Sequence, residues 1–154
     1  MWIPALVIAS VGTACVGGAV FAFSTFVMPA LDRLPAADAI RAMQSINIKA
    51  ERAPFGVTIL APLVASIALS VGAIGEWTPA SPWVLAGTAL YLVVGLGVTG
   101  AVNVPLNNRL AKTRELDAAT WTAFARPWVR ANHARSAGAL LASAAFTIAA
   151  QVAT

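Results

Sequence analysis

Two short segments of the chain carry amide, imidazole and guanidinium groups at spacings that could serve chemistry. In the first, Asn103 and Asn107 flank Pro105, and if a helix continues through the proline the two amides lie one turn apart on the same face. Pro105 would free the carbonyl near Ala101 and bend the helix, which would form a polar cup. Helix termination with amides that cap the helix end explains the same residues, and spacing alone does not separate the two interpretations.

The second segment contains the only histidine, His133, between Asn132 and Arg135. Histidine exchanges protons near neutral pH more readily than other side chains, although a single histidine is more often structural. The charge pattern described below places this segment on the same side of a membrane as Asn103 and Asn107, so we expect the five side chains to approach one another. Ionisable groups at the edge of lipid are candidates for function, and small-ligand pockets form between the helices of bundles.

The elements that must position these groups are long apolar runs. The chain of 154 residues is 59% hydrophobic and only 10% charged, whereas soluble domains carry about 25% charged residues. A membrane span needs roughly 20 apolar residues, and in lipid such a span must be helical because its backbone finds no other hydrogen-bond partners. The sequence therefore predicts a single all-α membrane domain, a four-helix transmembrane bundle. The predicted spans are residues 2–28, 55–74, 82–104 and 136–153.

The basic residues predict the topology. All ten Lys and Arg residues lie in two stretches, Arg33–Arg52 and Arg109–Arg135, and short loops rich in Lys and Arg stay in the cytoplasm. We therefore expect an integral protein of a bacterial inner membrane with both termini outside and loops 1–2 and 3–4 cytoplasmic. The same bias explains the high pI, so the expected partner is the lipid bilayer, including anionic headgroups, and not nucleic acid. A homo-oligomer is also compatible with a small polytopic chain.

Each cytoplasmic loop is predicted to hold a short amphipathic helix. In residues 36–52, Ile40, Met43 and Asn47 recur at spacings of three and four. This helix either lies on the membrane surface or covers the mouth of the bundle as a lid. In the second loop Asp117 is a candidate cap for a helix that begins near Ala118. A stripe at the same spacings, which fits packing or interfacial anchoring, consists of Trp121, Phe124, Trp128, Asn132 and Arg135.

The sequence leaves the cofactor open. Cys15 is the only cysteine and His133 the only histidine, so the chain offers neither an internal disulfide nor the usual ligands of a structural zinc site. Haem could in principle be held by His133 with Met28 or Met43 as a second ligand, and copper bound through His133 is a further alternative. No span has a central acidic or basic residue, which argues against ion-coupled transport.

Several segments carry a resemblance to a known family: GAVFAFSTFVMPAL at 18–31, AMQSIN at 42–47, and NVPLNN at 103–108 followed by WVRANHAR at 128–135. Together they resemble the anthrone oxygenase-like family of small four-helix membrane proteins, long classed as a domain of unknown function. Members of that family oxidise anthrones to anthraquinones in polyketide pathways. The resemblance implies catalytic roles for His133, Asn103, Asn107 and Arg135, and substrate contacts for Asn132, Trp128, Asn47, Phe23, Ser24 and Met28.

A mechanism that fits these residues begins with a flat, apolar aromatic substrate that enters between the helices from the bilayer. In this hypothesis neutral His133 removes a proton as general base, and Asn103 and Asn107, or Arg135, stabilise the resulting oxyanion. The electron-rich enolate then reacts with O2 directly, without a required metal. Two other functions stay open: a non-catalytic membrane protein that binds a lipid, quinone or partner helix, and a haem- or copper-binding redox protein that uses His133.

Overall fold

The computed structural model describes residues 3–50 and 55–153, and within these ranges the chain forms helices joined by short turns, with no strand. The all-α prediction is confirmed. The predicted start of the first span at residue 2, and the predicted end of the first-loop helix at residue 52, lie outside the described residues. The helices are α1 (Ile3–Leu31), α2 (Ala36–Ala50), α3 (Phe55–Gly75), α4 (Ser81–Lys112) and α5 (Ala118–Val152).

Three of these helices are long and apolar enough to cross a membrane, namely α1, Val57–Gly75 of α3, and α4. Large apolar side chains on their outer faces, such as Val64, Val71 and Val93, are 66%, 68% and 69% exposed, as expected of surfaces that meet lipid rather than water. Helix α5 is not among the three, because arginines interrupt its first half and its apolar second half is short. The described residues therefore indicate a membrane protein with three candidate spans. The predicted fourth span, in α5, is not confirmed.

The four long helices pack as a closed ring in which α5 contacts α1 and α4, while α3 contacts the same two helices from the other side. Small residues let the backbones approach closely. At Gly138 of α5, a Cβ atom would lie only 2.7 Å from Val94 Cβ of α4. Hydroxyl groups add polar links between α1 and α5, since Ser10 Oγ lies 2.8 Å from Thr147 Oγ1. The ring holds the apolar core and leaves room at one end for a cavity.

Helices α4 and α5 are longer than predicted, and only residues 113–117 separate them. Asp117 caps α5 as expected, because its Oδ1 accepts a hydrogen bond of 2.8 Å from the backbone N–H of Thr120. That hydrogen bond holds the pKa of the Asp117 carboxyl below its ordinary value. The short helix predicted in the third loop is not a separate element: α5 runs through that region unbroken, past Pro127. The aromatic side chains of the stripe, Trp121, Phe124 and Trp128, are buried in one cluster and so pack inside the bundle.

Helix α2 lies across one end of the ring. Its residues Ala39, Ile40 and Met43 are buried in a cluster with the aromatic stripe of α5. Gln44 fastens the helix to the end of α4, because its Nε2 donates a hydrogen bond of 2.8 Å to the carbonyl oxygen of Leu110. The amphipathic pattern therefore faces inward onto the bundle, so α2 is in a position to close a cavity beneath it.

Candidate functional site

A cavity of about 220 Å³, the site cavity, lies at this end of the ring and is lined by α1, α2, α4 and α5, with Ile59 of α3. Its walls are mostly apolar, yet all five asparagines of the chain line it. A cavity with apolar walls and a few converging polar groups is the usual form of a small-molecule site. The lining residues are Ala19, Val20, Phe23, Met43, Ile46, Asn47, Ala50, Ile59, Thr99, Asn103, Val104, Asn107, Asn108, Trp128, Asn132 and Arg135.

Two π-helical segments border the site cavity, and each ends just before a proline. Phe23–Val27 of α1 precedes Pro29, and Thr99–Asn103 of α4 precedes Pro105. A proline has no N–H to continue the regular hydrogen-bond pattern. The residue just before each proline, Met28 or Val104, donates its backbone N–H to the carbonyl five residues back, that of Phe23 or Thr99, instead of four. Such π turns are often found at functional sites. The predicted disturbance near Pro105 is thus present, and the helix continues through it, so that both Asn103 and Asn107 face the cavity.

Helix α5 supplies the opposite wall through Trp128, Asn132 and Arg135, which lie on one face of the helix. Trp128 links this wall to α4 at two points. Its Nε1 donates a hydrogen bond of 2.9 Å to Asn107 Oδ1, and its carbonyl oxygen accepts one of 3.3 Å from Asn103 Nδ2. The two amides of the NVPLNN segment are therefore oriented by Trp128 and do not cap a helix end.

Asn132 is the centre of the hydrogen-bond network at the α1 side of the cavity. It is 1% exposed, and its Nδ2 donates hydrogen bonds of 2.7 Å to the Val20 carbonyl oxygen and 2.8 Å to Ser24 Oγ. Its Oδ1 accepts a hydrogen bond of 2.9 Å from Arg135 Nη1. Arg135 is partly buried and forms no ion pair among the described residues. A guanidinium group held in this way keeps its other donors available to a ligand.

Two buried polar atoms at the cavity have no hydrogen-bond partner in the described part of the chain: Asn103 Oδ1 and Asn47 Nδ2. Asn103 is 1% exposed, and the direction of its amide is set by the bond from Nδ2 to Trp128. An unsatisfied buried polar group costs about 1–3 kcal/mol, and such groups in a native fold call for an explanation. One acceptor and one donor are therefore left for a bound molecule.

His133 is not placed as predicted. Its side chain is exposed and is not among the described residues that line the site cavity. Successive helical residues are about 100° apart, so a face formed by Trp128, Asn132 and Arg135 directs residue 133 elsewhere. The expectation that this imidazole approaches the amides of α4 is wrong. Its role as a base stays a prediction, and the geometry gives that role no support.

The other predicted substrate contacts divide into two groups. Phe23, Asn47 and Trp128 line the cavity, and the rings of Phe23 and Trp128 lie 6.4 Å apart. Ser24 and Met28 are buried but border a neighbouring cleft. Ser24 acts on the site cavity only indirectly, through its hydrogen bond with Asn132.

Sequence reasoning missed several lining residues. Thr99 lies four residues before Asn103, and Asn108 belongs to the same NVPLNN segment, so spacing and adjacency were available signals for both. Ile46 and Ala50 also line the cavity. They lie three residues after Met43 and Asn47 respectively, which places them on the same face of α2. Helix α2 thus forms a wall of the cavity, and of the two interpretations of its pattern the position of a lid agrees better with these contacts.

The described residues contain no group of three or more His, Cys, Asp or Glu side chains that could together hold a metal ion. Of the residues considered for haem, Met28 and Met43 are buried in one apolar cluster, whereas the side chain of His133 is exposed.

A family model described as "Anthrone oxygenase" matches residues 52–145, which is more than half of the chain. The match includes α3, α4 and most of α5, and with them the two segments that carry Asn103 and Arg135. The resemblance inferred from the sequence is confirmed. No curated protein and no solved structure matches the chain.

Proposed function

Because the chain belongs to the anthrone oxygenase family, we propose that it oxidises a flat, apolar aromatic molecule of the anthrone type with O2 inside the membrane. The substrate would lie in the site cavity, whose walls suit an apolar ring system and whose polar groups suit oxygen substituents. Both the substrate and O2 dissolve readily in lipid, so a cavity among membrane helices can receive them without passage through water.

The observation that carries this proposal is the Oδ1 of Asn103, an acceptor buried beside an apolar cavity that has no hydrogen-bond partner in the described part of the chain. A ligand hydroxyl that donates to this atom would remove the cost of leaving it unsatisfied. Anthrones that carry a phenolic hydroxyl present such a donor. The same ligands present a carbonyl oxygen, which suits the unpartnered Nδ2 of Asn47.

The chemistry requires that the substrate lose a proton from the CH2 carbon opposite its carbonyl. The charge then moves to the carbonyl oxygen, giving an enolate. Arg135 is the only charged side chain among the described lining residues, and a fixed cation near that oxygen favours the enolate. This effect lowers the pKa of the carbon acid itself. The enolate passes electrons to O2, the carbon gains one oxygen atom, and the second oxygen atom leaves as water, so that anthrone and O2 yield anthraquinone and water.

The proton acceptor follows from what the described lining contains. It includes neither a carboxylate nor an imidazole, so we propose that water or hydroxide at the cavity mouth accepts the proton. Base catalysis by His133 remains the rival hypothesis from the sequence. The two differ in the expected effect of removing the imidazole.

A non-catalytic protein that binds a quinone is less well supported by the same atoms. A simple quinone offers only hydrogen-bond acceptors, and these leave Asn103 Oδ1 unsatisfied. A ligand with a hydroxyl donor fits the cavity better. This difference favours the hydroxylated, reduced substrate over a plain quinone.

The membrane arrangement is also part of the proposal. We propose that the apolar second half of α5 is the fourth span, and that α2 and residues 113–117 lie on the cytoplasmic side of a bacterial inner membrane with both termini outside. The support is the placement of every Lys and Arg in the two stretches that include these loops. The site cavity would then lie near the inner leaflet.

The proposal is tested with the purified full-length chain in lipid nanodiscs, supplied with O2 and either a hydroxylated or an unsubstituted anthrone. Quinone absorbance and O2 uptake measure the reaction, and empty nanodiscs give the spontaneous rate. We expect faster oxidation than in empty nanodiscs and a clear preference for the hydroxylated compound. In Asn103→Leu, which keeps the volume but removes the acceptor, that preference should disappear. A rate equal to that of empty nanodiscs for both compounds contradicts the proposal.

A further inference from the structure

A second cleft, of about 710 Å³, lies between the end of α1 and the first half of α5, outside the site cavity. The two are separated at the hydrogen bond between Asn132 and Ser24, because Asn132 lines the site cavity and Ser24 lines the cleft. The residues around the cleft are Ser24, Met28, Pro29, Asp32, Arg33, Thr122, Ala125, Arg126, Val129 and Arg130. We call it the arginine cleft, after Arg33, Arg126 and Arg130.

The charge of the arginine cleft is strongly one-sided. Its three guanidinium groups are exposed, and none forms an ion pair among the described residues, where the one recorded pair joins Arg41 and Asp38. Asp32, the one carboxylate among the described residues that line the cleft, accepts a hydrogen bond of 2.6 Å from Trp121 Nε1. Two arginines of α5 and one in the turn after α1 therefore line a space with a single carboxylate, which is already hydrogen-bonded.

The position of the cleft matches the boundary of a membrane. The candidate span of α1 ends at Leu31, and Asp32 and Arg33 follow directly. The lining of the cleft also includes the apolar side chains of Met28 and Val129. A cleft that combines cations with hydrocarbon side chains complements an amphiphile with a negative head.

We propose that the arginine cleft binds a phosphate-bearing anion, with the phosphate between Arg126, Arg130 and Arg33. Guanidinium groups bind phosphate oxygens through paired, charge-assisted hydrogen bonds. Arg126 and Arg130 are four residues apart and so share one face of α5, while Arg33 approaches from the end of α1. The apolar side chains of Met28 and Val129 in the same cleft can contact acyl chains, which favours an anionic phospholipid over a soluble phosphate. The inference is independent of the oxidation proposed for the site cavity.

The test measures binding to the purified full-length chain by native mass spectrometry in detergent, with phosphatidylglycerol, phosphatidylcholine and glycerol phosphate as separate probes. The variant is Arg126→Gln/Arg130→Gln. Its matched control, Arg41→Gln/Lys49→Gln, removes two positive charges from exposed positions of α2 outside the cleft. We expect the cleft variant to bind phosphatidylglycerol about tenfold or more weakly, while the control stays within about twofold of the unmodified chain.

The probes separate the two sources of phosphate. If glycerol phosphate competes with phosphatidylglycerol at equal concentration, the site takes a small phosphorylated molecule; if only the lipid binds, the site takes a headgroup. Equal loss of phosphatidylglycerol binding in the cleft and control variants, or no loss in either, overturns the proposal. Should the glutamine variant fail to fold, Arg126→Lys/Arg130→Lys keeps the charge but loses the paired hydrogen bonds. We then expect weaker binding that falls further with salt, and binding by this variant equal to that of the unmodified chain again overturns the proposal.

Discussion

Arg135 donates a hydrogen bond of 2.9 Å from Nη1 to Asn132 Oδ1, three residues earlier on the same face of α5. The acceptor is itself fixed, because Asn132 Nδ2 donates to Val20 and Ser24 of α1. A flexible cation is thereby held at the wall of an apolar cavity, and none of the described residues places a carboxylate beside it. This arrangement suits a site that must stabilise a negative charge formed only during reaction.

Replacing Arg135 tests that role. We expect Arg135→Met to lower kcat for anthrone oxidation about 10²- to 10³-fold, the usual effect of removing one group that stabilises an oxyanion. Arg135→Lys should recover part of the rate, because it keeps the charge but not the planar fork that bonds Asn132. Quinone absorbance measures the rates. Arg41→Met, at an exposed position of α2, serves as the control for loss of a cation. An Arg135→Met protein with the unmodified rate would remove the electrostatic argument.

Removing the imidazole distinguishes the two proton acceptors. The sequence hypothesis of a His133 base predicts a loss of about 10²- to 10⁴-fold in His133→Ala. The structure predicts a rate within a few-fold of the unmodified chain, because the side chain is exposed and is not among the described lining of the site cavity. The measurement is kcat on the folded, nanodisc-embedded protein. A large loss with unchanged thermal stability would restore the histidine to the mechanism and contradict the position of its side chain outside the cavity.

Much of the site could be predicted because it depends on helical spacing. Trp128, Asn132 and Arg135 recur at intervals of three and four, and the structure places all three at one cavity. The same rule, applied strictly, would have excluded His133, which lies off that face. The prediction placed His133 at the site because it is adjacent in sequence to Asn132 and close to Arg135. It did not take into account that residue 133 points away from their face of the helix.

The π-helical segments were only partly predictable. Pro105 indicated a disturbed helix, but a proline permits a kink, a helix end or a wider turn, and packing against neighbouring helices selects among these. Likewise, spacing does not reveal that Asn103 Oδ1 has no hydrogen-bond partner among the described residues. That depends on the orientation of the amide, which the bond from Nδ2 to the Trp128 carbonyl fixes. The spacing of residues predicts which helix face each side chain lies on. Which hydrogen bonds those side chains and the π turns form depends on packing between the helices.

The close contact between α4 and α5 gives a stability prediction. In Gly138→Ala the new Cβ would lie 2.7 Å from Val94 Cβ and 3.2 Å from the backbone nitrogen of Gly95, so the helices must separate. We expect a loss of about 1–3 kcal/mol in the free energy of unfolding. Gly72→Ala is the matched control, because a Cβ atom added there would meet no atom of the described neighbouring residues within 4 Å. Thermal unfolding in detergent measures both, and equal melting temperatures would contradict the packing described for α4 and α5.

Restoring a backbone donor at Pro105 tests whether the π turn positions the site. In Pro105→Ala the new N–H can bond the carbonyl of Ala101, which favours regular α-helix in place of the π segment Thr99–Asn103. A π turn holds one residue more than an α turn. Converting it to α-helix therefore rotates the residues before the turn relative to those after it by about 100°, and Asn103 would leave the cavity. We expect an unchanged or higher melting temperature together with a fall of about 10²-fold in oxidation rate, as for other small displacements of positioning groups. Pro82→Ala in the first turn of the same helix removes a proline without altering this register and should keep the rate. Full activity in Pro105→Ala would show that the wider turn is not needed to aim the Asn103 amide.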